Sequence, residues 1–144
     1  SSNRRVCVIA MDSISGSLKF NVKNYEKILK LIFLDFKNCD IFVKFHPADN
    51  SEKIQEFTSA VLTGKYLYTI INHSLEDLCL SEMPVTIVGT NSTILFYAEL
   101  LGNNKAFSYA RSLALMDEKY ARFIRSWGSK DLFYTTFGQT VTFK

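Results

Sequence analysis

The sequence predicts an α/β domain built on a Rossmann-like, doubly wound parallel sheet. Two observations lead to this prediction. Short runs of β-branched and other apolar residues, typical of strands buried on both faces, alternate with segments whose apolar residues recur at helical spacing. Apolar residues make up 47% of the chain and charged residues 22%, as in an ordinary globular domain, which excludes disordered and fibrous proteins. The 144 residues suit one domain.

Five strands are predicted, each a short apolar run that a polar turn or a proline ends. They are Arg4 to Met11, Cys39 to Phe45, Lys65 to Ile71, Val85 to Gly89 and Lys105 to Tyr109. Pro47 closes the second strand, because proline has no amide hydrogen to donate to a neighbouring strand. Beyond these strands, the stretch from Leu132 to Phe143 has weak extended character.

Helices are predicted between the strands, where the apolar spacing changes to that of a helix. They are Tyr25 to Lys37 with Asn24 as its cap, Ser51 to Leu62 with Ser51 as its cap, Leu75 to Leu80, Ser92 (or Asn91) to Leu101, and Leu115 to Arg125. Gly102 and Asn103 predict a left-handed stop after the fourth helix.

Charge and cysteine content exclude several classes of protein. The net charge is only +3 and the basic residues are scattered, whereas nucleic-acid-binding proteins usually cluster them on one face. Cys7, Cys39 and Cys79 are widely spaced, which indicates reduced thiols packed in the core of a cytosolic protein and neither disulfides nor a zinc site. No apolar run approaches the roughly 20 residues that a membrane-spanning helix needs.

Ligands of doubly wound sheets bind beyond the carboxyl ends of the strands. This rule selects four loops: Asp12 to Ser17, His46-Pro47, Asn72 to Glu76 and Gly89 to Thr93.

The loop at His46 is the first candidate for chemistry. Lys44 and His46 are two residues apart on a strand and therefore project to the same side, with Phe45 opposite. A histidine in this position can donate a hydrogen bond to a phosphate or act as a general acid on a phosphate leaving group. The alternative is a partly exposed histidine held in a proline turn.

The second and third candidates are the run Gly89 to Thr93 and Glu76. A glycine followed by hydroxyl residues that open a helix can bind an anion through backbone N–H groups, although an ordinary helix cap has the same residues. The run is neither a Walker A loop nor a GxGxxG motif. Glu76 can accept hydrogen bonds from ribose hydroxyls, or it is a plain helix N-terminal carboxylate. With only two histidines, no metal-binding cluster is predicted.

Three of these motifs occur in the order found in bacterial sialyltransferases. They are His46-Pro47, Glu76 in the run Leu75 to Leu78, and Ser92-Thr93 in the run VGTNSTILFYAELLG. Over roughly Val6 to Tyr109, the chain resembles the C-terminal, CMP-sugar-binding domain of these enzymes, which have the GT-B architecture of two Rossmann-like domains. The lipooligosaccharide sialyltransferases and capsule polysialyltransferases are the most similar groups, because their donor domains also carry Lys-x-His-Pro.

The resemblance implies transfer of sialic acid from CMP-sialic acid to a bacterial surface glycan, with inversion and without a metal or other cofactor. It implies that His46 contacts the CMP phosphate and protonates it as it leaves. Pro47 would shape the cytosine pocket, Glu76 would hold the ribose hydroxyls, and Ser92 and Thr93 would bind the phosphate. Supporting positions for the phosphate and the cleft are Lys44, Gly89 and Asn91.

The resemblance also implies partners: a nucleotide-sugar donor, a glycan acceptor and an N-terminal acceptor domain of the same protein, with no nucleic acid. The acidic-acidic-Gly motif of that acceptor domain is missing, since Glu76-Asp77 continues with Leu78 and Asp117-Glu118 with Lys119. We therefore expect residues 1–144 to be a single donor-binding domain, a fragment that is inactive alone. The full-length enzyme would be cytoplasmic, at the inner face of the bacterial membrane, with peripheral membrane association.

Two alternatives stay open. One is a related domain of a capsule or teichoic-acid glycosyl- or glycerophosphotransferase, or of a Kdo transferase, since these also carry Lys-x-His-Pro and a later Ser-rich helix start. The other is a Rossmann-like binding module without catalysis, in which the same loops are only caps and turns. Preference for CMP over CDP and UDP would separate these functions.

Overall fold

The computed structural model describes residues 4–15, 19–126 and 141–144. In these ranges the sheet has six parallel strands in the order β3-β2-β1-β4-β5-β6. The strands are β1 (Val6–Ala10), β2 (Asp40–Lys44), β3 (Thr69–Ile70), β4 (Thr86–Gly89), β5 (Lys105–Ser108) and β6 (Thr142–Phe143). This is the strand order of dinucleotide-binding Rossmann folds, so the predicted fold class is confirmed.

The helices connect the strands as a parallel sheet requires. They are α1 (Val22–Asp35), α2 (Ser51–Phe57), α3 (Leu75–Leu80), α4 (Ala98–Leu101), α5 (Ala110–Met116) and α6 (Glu118–Arg125). The chain passes from β1 to β2 on one side, and later returns to place β4 on the other side of β1. The carboxyl ends of β1 and β4 therefore form the switch point at which such sheets bind ligands.

The core lies on both faces of the sheet, as the apolar runs predict. Alternate residues of β1 enter different clusters: Cys7 and Ile9 pack on the side of α1, and Val8 and Ala10 pack on the other side. All four are buried. Burial on both faces explains why β1 is apolar at every one of these positions and shows no alternation of apolar and polar residues.

Two of the predicted helix caps are wrong. In each case an asparagine earlier in the sequence caps the helix instead. Helix α1 begins earlier than predicted, because Asn21 caps it by accepting from the Lys23 amide at 2.9 Å. The predicted cap, Asn24, lies inside α1 and donates to Asp117 at 3.0 Å. In α2 the cap is Asn50, which accepts from Lys53, and Ser51 is the first helical residue.

Several predicted elements are shorter or divided. The predicted second helix continues beyond α2 as a π-helical turn, Thr58–Leu62, and the predicted strand from Lys65 to Ile71 is reduced to β3. The predicted last helix begins earlier and is divided into α5 and α6, because Asp117 leaves the helical conformation and caps α6. The predicted stretch from Leu132 to Phe143 lies outside the described residues, apart from 141–143.

The helix predicted from Ser92 to Leu101 is also divided. It starts as a four-residue 3₁₀ turn, Thr93–Phe96, and becomes α4 only after Tyr97. The left-handed stop is absent at Gly102, whose φ of 172° is extended. Glycine is needed there for space, since a Cβ would lie 2.8 Å from the carbonyl oxygen of Cys79.

The cysteines are free thiols, and Cys7 and Cys79 are buried while Cys39 is partly exposed. Burial raises the pKa of Cys7 to about 12, so this thiol is neutral and serves as a small apolar core residue. None of the helices in the described ranges is long and apolar enough to cross a membrane.

Candidate functional site

A cleft of about 360 Å³ opens at the carboxyl ends of β1 and β2, beside the loops that follow β3 and β4. Its lining residues are Ala10, Met11, Lys44, Phe45, His46, Pro47, Ser74, Leu75, Glu76, Ser92, Thr93, Ile94 and Tyr97. Six residues predicted from the sequence are therefore brought together: Lys44, His46, Pro47, Glu76, Ser92 and Thr93. They come from three separate strand-end loops.

His46 is exposed at the end of β2, whereas Phe45 before it is buried in the core. The amide of Ala48 donates to His46 Nδ1 at 3.1 Å. In the neutral ring the remaining hydrogen is therefore on Nε2. The turn that begins at Pro47 therefore occupies Nδ1, and Nε2–H can donate a hydrogen bond to a ligand oxygen.

Asp49 fixes this turn to the loop after β1, and sequence analysis missed it. Its buried carboxylate accepts from the Ser13 hydroxyl at 2.9 Å, the Ser15 hydroxyl at 2.6 Å and the Ile14 amide at 3.0 Å. Its own amide donates to the His46 carbonyl at 3.0 Å. The one signal in the sequence is a serine-rich loop that could surround an anion. The sequence does not indicate that this anion is the carboxylate of Asp49 and not a ligand.

Glu76 is exposed on the first turn of α3, and its carboxylate is held by two hydroxyls. Ser74 donates to Oε2 and Tyr97 donates to Oε1, both at 3.0 Å. Its own backbone amide, Ser74 and Tyr97 hold the pKa of this carboxyl below its usual value. Glu76 is therefore a charged acceptor at neutral pH. Tyr97 is a second residue that sequence analysis missed, because it was placed inside a continuous helix.

Lys44 lies beside Glu76 and is already engaged. Its ammonium donates to the carbonyl of Asn72 at 3.1 Å, and its charge favours the ionised form of Glu76. Lys44 consequently links the end of β2 to the loop after β3 and balances the charge of Glu76.

Ser92 and Thr93 line the cleft, but the predicted anion site at a helix N-terminus must be corrected. The turn they open is a short 3₁₀ helix without a side-chain cap, so it has little of the dipole that a regular α-helix has. Gly89 lines neither this cleft nor the cavity beside it. It allows β4 to approach β1, since a Cβ would lie 2.9 Å from the Ala10 carbonyl oxygen.

A smaller cavity of about 220 Å³ adjoins the cleft. It is lined by Met11, Asp12, Lys19, His46, Asn91, Ser92 and Thr93. Asp12 is buried and bonded to the Thr90 hydroxyl, and Asn91 accepts from the Tyr120 hydroxyl at 3.1 Å. Burial raises the pKa of Asp12, although Thr90, Lys19 and His46 favour its charged form. The predicted residue Asn91 thus belongs to this second cavity.

Two further cavities, of about 360 and 390 Å³, lie at the amino ends of the strands. Arg4, Leu67 and Tyr68 line one of them, and Arg5, Thr86 and Lys105 line the other. Ligands of doubly wound sheets bind at the opposite ends of the strands, so we assign the site to the carboxyl-end cleft. Among the described residues, no group of three His, Cys, Asp or Glu side chains could hold a metal ion.

The family model of alpha-2,8-polysialyltransferase (POLYST) matches residues 16–111, which is more than half of the chain. This chain belongs to that family. The predicted family resemblance is confirmed, and family membership supports a glycosyltransferase-type domain. The matched span includes His46, Glu76, Ser92 and Thr93, whereas β1 and Asp12 lie outside it.

No curated protein matches this chain. One solved structure, described as an S. aureus MnaA–UDP co-structure, is similar at a TM-score of 0.49 and 11% sequence identity. That similarity covers 75% of this polysialyltransferase-family domain and 29% of the other chain, so the domain spans less than a third of that structure's length.

Proposed function

We propose that this domain binds the CMP-sialic acid donor of a sialyltransferase with GT-B architecture. The observation that carries the proposal is the meeting of three strand-end loops, which bring His46, Glu76, Ser92 and Thr93 to one cleft at the carboxyl ends of the strands. Family membership supports the same class of donor. A nucleotide monophosphate needs an acceptor for its ribose hydroxyls and donors for its phosphate, and the cleft offers both.

Each cleft residue has a role in this proposal. Glu76, held by Ser74 and Tyr97, accepts from the ribose hydroxyls, and Pro47 forms part of the cytosine pocket. The hydroxyls of Ser92 and Thr93 donate to the phosphate. Because a single phosphate carries little charge, side-chain donors can neutralise it and the transfer needs no metal.

In the transfer step, the bond between the sugar and the phosphate oxygen breaks as an acceptor hydroxyl attacks the opposite face of the sugar, which inverts the anomeric centre. His46 acts as the general acid in its doubly protonated form, in which Nε2–H gives its proton to the leaving phosphate oxygen. The ring is then neutral with its hydrogen on Nδ1, so the bond that Nδ1 accepts from the Ala48 amide is open in this step. The hydroxyl proton passes to a base in the acceptor domain of the full-length protein. This domain therefore supplies the acid and the donor site but not the base, and we expect it to be inactive alone.

The acceptor in this proposal is a bacterial surface glycan, and the full-length enzyme works at the cytoplasmic face of the membrane. Thermal unfolding with CMP, CDP and UDP tests the donor. At a free concentration of about 100 times its Kd, the preferred nucleotide raises the free energy of unfolding of the domain by about 2.7 kcal/mol. We expect the largest increase in Tm with CMP. A larger increase with CDP or UDP would favour a related nucleotide-sugar or phosphotransferase, and no increase with any of them would contradict nucleotide binding.

Glu76→Ala is the matched variant for this experiment. At the same CMP concentration, binding that is about tenfold weaker should reduce the stabilisation from about 2.7 to about 1.4 kcal/mol. Glu52→Ala, which changes an exposed carboxylate of α2 outside the cleft, should keep it in full. Equal responses of the two variants would remove Glu76 from the proposed site.

A further inference from the structure

The cleft and the smaller cavity share four residues: Met11, His46, Ser92 and Thr93. Beyond this shared wall, Glu76 and Tyr97 line only the cleft, and Asp12, Lys19 and Asn91 line only the smaller cavity. In a nucleotide sugar with one phosphate, the nucleoside and the sugar lie on opposite sides of that phosphate. If the phosphate binds at the shared wall and the nucleoside binds beside Glu76, the sugar faces the smaller cavity.

The charges of the two cavities agree with this orientation. Glu76 is ionised in the cleft, and the ammonium of the nearby Lys44 is already bonded to the carbonyl of Asn72. An acidic sugar would therefore be repelled there. In the smaller cavity the cation is Lys19, whose ammonium lies 4.6 Å from the centre of the Phe123 ring of α6. This cation–π contact holds the lysine beside the cavity.

Polar residues that are nearly buried also line the smaller cavity. Asp12 is 8% exposed and Asn91 is 6% exposed, and both nevertheless line the cavity. Thr90 contacts both of them, and Tyr120 fixes Asn91 from the other side. Burial raises the pKa of Asp12, which weakens any repulsion between its carboxyl and an acidic ligand.

We propose that the smaller cavity binds the acidic sugar of the donor, with Lys19 paired to its carboxylate and with Asp12 and Asn91 bonded to its hydroxyls. This assignment rests on the proposed function, since that function places the phosphate at the shared wall. The donor site then has two parts, one for the nucleoside and one for the sugar, and a single substitution in one part should leave binding in the other unchanged.

Isothermal titration of the domain with three ligands tests the assignment: CMP, CMP-sialic acid, and the methyl ester of CMP-sialic acid, which lacks the carboxylate charge. Lys19→Met should weaken binding of CMP-sialic acid about tenfold, the size of one charge-assisted hydrogen bond at an exposed residue. Binding of CMP and of the methyl ester should change less than about twofold. Lys30→Met, which removes an exposed lysine that lines neither cavity, should bind all three ligands as the unchanged domain does.

The outcomes distinguish this assignment from the proposed function. If CMP binds but Lys19→Met leaves the affinity for CMP-sialic acid unchanged, or weakens CMP equally, the assignment of the sugar to this cavity is wrong and the nucleotide site stands. If neither CMP nor CMP-sialic acid binds the unchanged domain, the proposed function is wrong, and the assignment is wrong with it.

Discussion

The two sides of His46 are built differently. On one side Glu76 is exposed, and its partners Ser74 and Tyr97 belong to nearby surface turns. On the other side Asp12 is buried and joined through Thr90 and Asn91 to Tyr120 of α6. A substitution on the exposed side should change ligand binding alone. A substitution on the buried side should also change the stability of the fold, because the same residues form part of the core.

His46→Ala should have the largest effect, measured as turnover in the proposed full-length enzyme. A general acid acts mainly in the transition state and typically contributes about 10²- to 10⁴-fold. Donor affinity should change far less than kcat, and the Tm should remain that of the unchanged enzyme, because His46 is exposed. Unchanged turnover at an unchanged Tm would show that His46 is not the acid.

Asp49→Ala should have the next largest effect, on stability. The substitution leaves the hydroxyls of Ser13 and Ser15 and the amide of Ile14 without their shared acceptor, at a cost of about 2 to 4 kcal/mol. Urea unfolding measures the loss, with the exposed Glu52→Ala as the control. If the two variants are equally stable, the carboxylate of Asp49 does not hold the loop after β1.

Glu76→Ala should raise the donor KM by about tenfold, with kcat and Tm nearly unchanged. Contacts with the ribose are similar in the ground state and the transition state, so their loss weakens binding without slowing the chemical step. Steady-state kinetics of the full-length enzyme measures both constants. A fall in kcat with KM unchanged would place Glu76 at the reacting atoms and not at the ribose.

Asp12→Asn should have the smallest effect, visible as a change in how stability depends on pH. The pKa of Asp12 is raised in the folded state from its ordinary value of 3.8, so its contribution to stability is complete below 3.8 and is lost as the pH rises through the folded pKa. The asparagine variant lacks this loss. Relative to the unchanged domain, its free energy of unfolding should therefore rise between pH 3.5 and pH 7.5.

Asp117→Asn is the matched control, and its effect should have the opposite sign. Burial opposes the charge of Asp117, but the hydrogen bonds from Asn24 and from the amides of Tyr120 and Asn21 outweigh burial and lower its pKa. Its contribution is therefore present above the ordinary value of 3.8 and is lost as the pH falls. Melting curves measure both variants, from pH 3.5 to pH 7.5 for Asp12→Asn and from about pH 2 to about pH 5 for Asp117→Asn, whose folded pKa lies below 3.8. A relative loss of stability for Asp12→Asn at neutral pH would mean that the Asp12 carboxylate is stabilised by the fold.

Much of the fold could be predicted from the sequence, because a strand that is buried on both faces of the sheet is apolar at consecutive positions. The apolar run of β1 and the turn at Pro47 identify strand ends from local information alone. The residues around the cleft could be predicted from the positions of the strand ends, because the carboxyl ends of parallel strands meet at one edge of the sheet.

The features that could not be predicted depend on contacts between distant residues. Asn21 and Asn24 are equally good caps for α1 in the sequence, and the choice between them is coupled to Asp117, which bonds both. The division of the helix after Ser92 and the anchoring of a serine-rich loop by Asp49 likewise need the folded neighbours. The smaller cavity depends likewise on residues far apart in the sequence, since Asp12 after β1 is joined through Thr90 to Asn91 after β4.

In our proposal, a cytidine nucleotide binds at the carboxyl ends of the strands. Titration of the ¹⁵N-labelled domain with CMP, followed by amide chemical shifts, tests it most directly. We expect saturable shifts at Ala48, Glu76, Ser92 and Thr93, and none at Arg5, Leu67 or Thr86 around the cavities at the amino ends. Shifts confined to Arg5, Leu67 and Thr86, or no shifts at millimolar CMP, would contradict the account.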